Sequence, residues 1–404
     1  MHFLYNSGIR LYELTLKAAA SVNPKARKWV VGRKDYFDKL PEVTAKKVIW
    51  FHCASLGEFD MALPVMNLLK QRHPEVFILV SFFSPSGMEH YHKRKHKVDL
   101  AVYLPSDTEE NAHLFIAHFK PDKVFFVKYE FWSNYIFEAK KQNVQVFSLC
   151  SLFRDDHRFF KWYGGFFRET LKQIDFFYTQ NEVSTLLLAD IGITNFKTTG
   201  DTRFDRVIEN KEQLEQNTRI ESFLRGEKAM IIGSSWPEDE EVVIPFILKN
   251  PDRKFIVAPH NVDEQHVKDL QAKLNGRAVL FTETATDGHV MILNTIGHLA
   301  SAYSYGDIAY VGGGFSGNLH NILEPAVFGL PVIFGPKFKR FPEAFQFIHL
   351  GIGFTVNDTK GFEHAYYGIM DQSAELSKRT ADFVEKNRGA SAKVLGHLEE
   401  VFGI

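Results

Sequence analysis

Two carboxylates are the residues in this sequence best placed to do chemistry. Glu58 lies in "WFHCASLGEFDMALP", Trp50 to Pro64, and Glu130 lies in "KVFFVKYEFWSN". Each stands where an apolar run of strand length gives way to small or polar residues. A carboxylate in a loop at the end of a buried strand can take the proton from a hydroxyl nucleophile. Two over one cleft can also divide the work of glycoside hydrolysis, an outcome set by their separation, which the sequence does not give. Glu58 has a structural alternative, because Ser55-x-x-Glu58 has the spacing of a capping box. Pro64 opposes it: with Ser55 as N-cap, Pro64 becomes the ninth helical residue, where proline costs about 3 kcal/mol. With Asp60 as N-cap, Pro64 falls in the first turn and no helical hydrogen bond is lost. The expectation is therefore a helix from Asp60, with Ser55, Gly57 and Glu58 in a loop facing the cleft.

A second group of candidates lies in "GDIAYVGGGFSGNLHNILEPAVFGLPVIFGP". A strand ends in Gly312-Gly313-Gly314, and a helix is expected to start near Asn321. Glycines admit a ligand close to the backbone, and a helix N-terminus offers free N–H groups to phosphate. Glu324 in the first turn suits a ribose diol, or simply complements the helix dipole. The spacing is neither a dinucleotide fingerprint nor a P-loop, so an NAD dehydrogenase is disfavoured. Ser234 and Ser235, in "GSSWPEDEE", either meet phosphate or cap a helix. His260 ends "KFIVAPH", again at a strand's end; a lone histidine there is more often structural.

The elements that must position these residues follow a repeated grammar. Strands apolar throughout, such as "KVIWFHCAS", "VFILVSFFSP", "KVFFVKYE", "KAMIIGSS" and "KFIVAPH", alternate with helical segments. That pattern indicates parallel sheets covered on both faces. At 404 residues the chain exceeds what one core usually serves. The reading is α/β, with two Rossmann-like doubly wound domains in tandem, residues 1–203 and 204–404, the polar stretch "TTGDTRFDRVIENKEQLEQN" marking the boundary and a cleft expected between them. A net charge of −1 argues against a dedicated nucleic-acid binder. The only two cysteines, Cys53 and Cys150, suit a reducing compartment. Phe is abundant at 38 residues, which suits large aromatic cores or an apolar ligand.

The N-terminus reads as an interfacial element. Phe3, Leu4, Leu11, Leu14 and Ala18 can share one helical face, while Arg10, Glu13 and Lys17 rule out a signal peptide and a membrane span. Met1 to Lys47 holds ten Lys/Arg and four Asp/Glu, a local charge of +6. An amphipathic helix followed by basic residues suits an anionic membrane surface, as it also suits packing on its own domain.

Taken in order, "WFHCASLGEFD", "FFSPSG", "YLPSD", "KYEFWSN", "GDTRFD", "IIGSSWPEDEE", "APH", "AYSYGDIAYVGGGF" and "HNILEPAVFGLPVIFGP" resemble the Kdo transferases of lipopolysaccharide synthesis, from about Gly32 onward. Kdo is 3-deoxy-D-manno-oct-2-ulosonic acid. The resemblance implies a GT-B glycosyltransferase that moves Kdo from CMP-Kdo to a lipid A precursor of the lipid IVA type, with inversion and with no bound catalytic metal or other cofactor. It implies Glu58 as base, Glu130 as accessory carboxylate and Arg203 as a cation, with Ser55 and Gly57 on the acceptor side. It implies a CMP pocket drawn from Ser234, Pro259, His260, Gly297, His298, Leu299, Gly313, Asn321, Ile322, Leu323 and Glu324. The implied location is the cytoplasmic face of the Gram-negative inner membrane, held peripherally or by the N-terminal helix. The chain departs from the family in three places. Ala258-Pro259-His260 stands for Pro-Arg-His, Gly297-His298-Leu299 for Gly-Glu-Leu, and Arg203 for Lys, with Lys337, Lys339 or Arg340 as possible replacements for the lost cation. The alternatives are a GT-B enzyme with a UDP-sugar donor and a non-catalytic nucleotide- or lipid-binding relative.

Overall fold

The strands are built from β-branched and aromatic residues that alternate between two covered faces. In a computed structural model describing residues 1–284 and 287–404 they form two seven-stranded sheets, each wholly parallel. The first comprises β1 (Val48–Cys53), β2 (Phe77–Phe82), β3 (Leu100–Tyr103), β4 (Lys123–Val127), β5 (Gln145–Ser151), β6 (Phe176–Thr179) and β7 (Phe196–Thr198) in the order β3-β2-β1-β4-β5-β6-β7. The second comprises β8 (Ala229–Ser235), β9 (Lys254–Pro259), β10 (Ala278–Leu280), β11 (Val290–Ile292), β12 (Gly306–Val311), β13 (Val332–Phe334) and β14 (Gly353–Thr355) in the order β10-β11-β9-β8-β12-β13-β14. In each sheet the chain reverses its direction of travel beside its first strand, at β1/β4 and at β8/β12. At such a reversal the connections leave in opposite directions and open a crevice beyond the carboxyl ends of the strands.

Phenylalanine is abundant because it laces the first sheet together. Phe51, Phe125 and Phe147 lie in register on β1, β4 and β5. Their rings stack at 4.8 and 4.9 Å, and Phe402 closes the row edge-on at 4.9 Å. The opposite face buries Trp50, Phe126, Val146 and Phe177. Aromatic pairs in register contribute about 0.5–1.5 kcal/mol each beyond area burial.

The chain divides into two compact units, Met1–Arg206 with Gly389–Ile404, and Val207–Arg388. The sequence reading placed a single crossing after Arg203, whereas the chain crosses after Arg206 and returns at Gly389. The polar stretch near it is a helix, Thr202–Glu212, that buries Phe204, Val207 and Ile208. The return is fixed by Asp205, which accepts the N–H groups of Gly389 at 2.6 Å and Ser391 at 2.7 Å. It thereby caps helix Ala390–His397, whose Val394 and Leu395 complete the first unit's core.

Asp205→Ala leaves those N–H groups without their acceptor. The variant is expected to lose about 1–3 kcal/mol in urea unfolding and to become cleavable near Gly389. Unchanged unfolding and proteolysis would show that the return is held by apolar packing alone.

Candidate active site

In the first unit the reversal at β1/β4 places the two singled-out glutamates at the ends of neighbouring strands. The helix after β1 runs from Leu56 to Arg72 with Ser55 as N-cap, not from Asp60. Glu58 Oε2 accepts the Ser55 N–H at 3.0 Å and the Ser55 hydroxyl, and that hydroxyl also accepts the Gly57 N–H at 3.3 Å. The capping box therefore forms with Pro64 inside the helix. Pro64 denies a donor to the Asp60 carbonyl, a cost offset by the burial of Leu63, Pro64 and Val65, while the neighbouring Met61 carbonyl accepts the buried Thr202 hydroxyl at 2.5 Å. Asp60, freed from capping, forms a two-armed pair with Arg94 at 2.8 and 3.1 Å. The box binds only one carboxylate oxygen of Glu58. Among the described residues Oε1 has no partner.

Glu130 follows a turn in which Lys128 adopts a left-handed backbone, φ 67°, and donates its N–H to the Leu149 carbonyl at 2.7 Å. Such a conformation is costly for a side chain with a Cβ and persists where its surroundings enforce it. Burial pushes the Glu130 carboxyl up to about 7, and the nearby Glu58 charge adds to the rise. A hydrogen bond from Trp132 and the charges of Lys128 and Arg158 oppose it. The structure thus brings the two carboxylates within each other's field. Arg203 begins helix Thr202–Glu212, bound to Asp201 through Nε at 2.9 Å and Nη2 at 2.7 Å. It lies by the end of β5, where the Cys150 thiol meets Thr202 at 2.9 Å and feels both Asp201 and Arg203.

In the second unit the reversal at β8/β12 gathers Ser234, Pro259, His260, Gly313, Asn321 and Glu324 near neighbouring strand ends. Ser234 is left-handed at φ 54°. A Cβ on Gly312 would lie 2.2 Å from the Ser234 carbonyl, and one on Gly314 would lie 2.5 Å from the Gly335 nitrogen. The glycine run is thus required by backbone pressed on backbone. Gly313 gives its N–H to the buried Asp239 at 2.9 Å, so it has none to offer a ligand. Among the described residues the N–H groups of Gly314, Phe315 and Ser316 have no acceptor. Ser235 donates its hydroxyl to Glu240 at 3.3 Å, and helix Pro237–Lys249 is capped by Asp239 accepting the Trp236 N–H at 2.9 Å. Neither serine caps it.

The helix expected near Asn321 is one turn, Leu323–Ala326, and supplies little dipole. Asn321 Oδ1 accepts the Leu323 N–H at 3.1 Å and its Nδ2 donates to Glu324 at 3.4 Å. Ile322 and Leu323 are fully buried, so only their backbone can face a ligand. Leu299 packs near Gly233, but His298 stacks on Phe281, which follows edge strand β10, at 4.2 Å. Gly297, at φ 101°, is exposed in the preceding turn.

The sequence reading missed an aromatic platform. Trp236 stacks on His260 at 4.2 Å and 18°, His260 meets His320 at 4.7 Å, and the Trp236 indole donates to His320 Nε2 at 3.2 Å. Burial, with His260 beside it, lowers His320 to about 4, so it is neutral at physiological pH. The signal was present: Trp236 adjoins Ser235 and His320 adjoins Asn321. Among the described residues no group of three His, Cys, Asp or Glu side chains is placed to hold a metal.

Glu130 gives a testable pH dependence. Unfolded, it releases its proton near the ordinary 4.5, whereas folded it does so near 7. Its contribution to stability is full below about 4.5 and is lost as pH rises through about 7. Glu58→Gln removes the like charge and should lower the Glu130 pKa, as read by carbon NMR titration of the carboxyl. An unmoved or raised titration would show that the two side chains do not share a field.

Residues 31–206 match the family described as 3-deoxy-D-manno-octulosonic-acid transferase (kdotransferase). The chain is 28% identical over 309 residues to the 3-deoxy-D-manno-octulosonic acid transferase of Rickettsia bellii, covering 72% of each protein. To that of Aquifex aeolicus it is 27% identical over 336 residues, 81% of this chain and 87% of the relative. Two further rickettsial relatives are longer, and the chain spans 65% of their length. A crystal structure of UDP-N-acetylglucosamine 2-epimerase superposes with a TM-score of 0.62 at 14% identity, over 90% of this chain and 97% of that one. That likeness is one of fold, and the architecture is GT-B. With the ordered motifs and the family match over the unit that carries Glu58 and Glu130, the chain is similar to the Kdo transferase family of glycosyltransferases.

Proposed function

We propose that this enzyme transfers Kdo from CMP-Kdo to the glucosamine 6-hydroxyl of a lipid A precursor of the lipid IVA type, with inversion. The observation that carries this reading is the state of Glu58. The capping box fixes one carboxylate oxygen and leaves the other unengaged, so cap and base are compatible roles. In the reaction Oε1 takes the acceptor hydroxyl proton. The oxygen bonds to the anomeric carbon of Kdo as the bond from that carbon to the CMP phosphate oxygen breaks, and CMP leaves with the electron pair. Glu130, held near 7 by burial, keeps a proton through much of the neutral range and can donate a hydrogen bond to the acceptor or the sugar. The guanidinium of Arg203 supports the charge that develops on CMP. In the second unit the N–H groups of Gly314, Phe315 and Ser316 suit the phosphate, Glu324 suits the ribose diol, and the ring of His260 offers the base a stacking surface.

A lipid acceptor also accounts for the N-terminal helix. In helix His2–Ala19, Phe3, Leu4, Leu11 and Leu14 are 80, 65, 63 and 61% exposed. Among the described residues no helix is long and apolar enough to cross a membrane. An outward apolar face beside a +6 segment supports peripheral binding to an anionic leaflet, proposed to be the cytoplasmic face of the inner membrane.

Incubation with tetra-acylated lipid A precursor and freshly generated CMP-Kdo should add one or more Kdo masses, with CMP but not UDP competing. Glu58→Ala should abolish transfer and leave CMP binding intact; near wild-type transfer would remove Glu58 from the mechanism. Leu11→Ser with Leu14→Ser should weaken flotation with anionic vesicles by about tenfold or more. Undiminished flotation would place the membrane contact elsewhere.

A further inference from the structure

The N-terminal helix has a second, inward face, and it reaches the segment that carries Glu130. Tyr5 donates its hydroxyl to Asp107 Oδ2 at 2.5 Å. The same oxygen accepts the Asn134 N–H at 3.2 Å, and Oδ1 accepts the Tyr135 N–H at 3.1 Å. Asn134 is in turn gripped from the N-terminal helix. His2 Nε2 lies 2.9 Å from its Oδ1, and its Nδ2 donates to Asn6 at 2.8 Å and to the Asp107 carbonyl. Asp107 and Asn134 are buried, at 0 and 2% exposure.

These bonds solve a local problem. Helix Ser133–Lys141 has Trp132 as its N-cap, and Trp132 offers no side-chain acceptor to the free N–H groups of the first turn. Asp107, in the turn after β3, supplies the missing cap from outside the helix. Trp132 is the last residue before that first turn, stands two residues after Glu130, and lowers the Glu130 pKa through its side chain. The bonds from Tyr5 thus run to Asp107 and to the start of the helix, and the backbone continues from there through Trp132 to Glu130. Burial holds the Asp107 carboxyl up near 6, and the Tyr5 hydroxyl opposes that rise, so the two groups stabilise each other in place.

We infer that Asp107 is a positioning residue for Glu130, and that Tyr5 is the arm through which the N-terminal helix holds it. The inference rests on reading Glu130 as the accessory carboxylate. The helix proposed to lie on the membrane is then also the strut that sets part of the active site.

The test compares Tyr5→Phe, Asp107→Asn and Glu130→Gln, singly and combined, in the full chain, with transfer followed by mass spectrometry. Tyr5→Phe and Asp107→Asn should each lower kcat by about 10- to 100-fold with the donor KM unchanged. Neither should lower it further in a Glu130→Gln background. Losses that multiply with Glu130→Gln would overturn the inference while leaving the role of Glu130 intact. Wild-type transfer by Glu130→Gln would remove the accessory-carboxylate reading and the inference with it. If Asp107→Asn does not fold, the milder Tyr5→Phe decides through the Trp132 indole resonance. A shifted resonance supports the linkage, and an unmoved one refutes it.

Discussion

Each unit of this protein is organised around one buried carboxylate satisfied by neutral donors. In the first, Asp107 holds the Tyr5 hydroxyl and the N–H groups of Asn134 and Tyr135. In the second, Asp239 holds the Tyr310 hydroxyl at 2.6 Å and the N–H groups of Trp236 and Gly313. Both are fully buried, and burial raises the pKa of both. A buried carboxylate short of its hydrogen bonds costs several kcal/mol, so each aspartate forces its donors into one arrangement. Those donors are no arbitrary set. In the first unit the two N–H donors open the helix that follows the E-x-W segment and Tyr5 comes from the N-terminal helix; in the second, Tyr310 and Gly313 belong to β12 and the glycine run, and Trp236 follows β8.

The capping box at Glu58 leaves the side chain that serves the fold with an oxygen for the chemistry proposed for it. A capping glutamate is held by its own N-cap residue, so its orientation is set by the helix. Glutamate has two oxygens and the cap needs one. The helix is built over a buried proline, which would be a poor choice if local propensity ruled. Burial of Leu63, Pro64 and Val65 offsets the hydrogen bond that Pro64 denies to the Asp60 carbonyl. Thr202, which bonds the Met61 carbonyl of this helix, directly precedes Arg203, so that bond anchors the start of the helix bearing the candidate cation.

This balance explains what the sequence disclosed and what it hid. Long apolar strands such as "VFILVSF" and "KAMIIG" were plain, because burial on both faces leaves no polar alternation to confuse. The edge strands β7 and β14, Phe196–Thr198 and Gly353–Thr355, are three residues each and carry no such signal. The helix start at Leu56 was hidden because the cost of Pro64 is local, whereas the burial that offsets it is set by tertiary packing. The return of helix Ala390–His397 to the first unit was hidden for the same reason: its apolar face does not record which core receives it. The glycine run was visible, but its cause was backbone packing against Ser234 and Gly335. His260 read as a lone histidine because its partners, Trp236 and His320, come from separate segments.

Those partners bear on the segment Ala258-Pro259-His260, where the sequence departs from the pattern it resembles. Pro259 is buried and ends β9 opposite Ser235. Proline is tolerated at a strand end, where it fixes the backbone and needs no ladder donor. The pairing register shifts between Gly233 and Ser235 at that point, and the His260 N–H is drawn to the Ser235 carbonyl at 2.8 Å. The fixed backbone and this bond carry the imidazole onto the neighbouring Trp236 ring. Burial lowers the pKa of His260, and more strongly that of His320. His260 and Trp236 therefore present a rigid stacking surface at the end of β9, and among the described residues the turn that follows Gly313 presents backbone N–H groups without acceptors beside the strand end of the same unit.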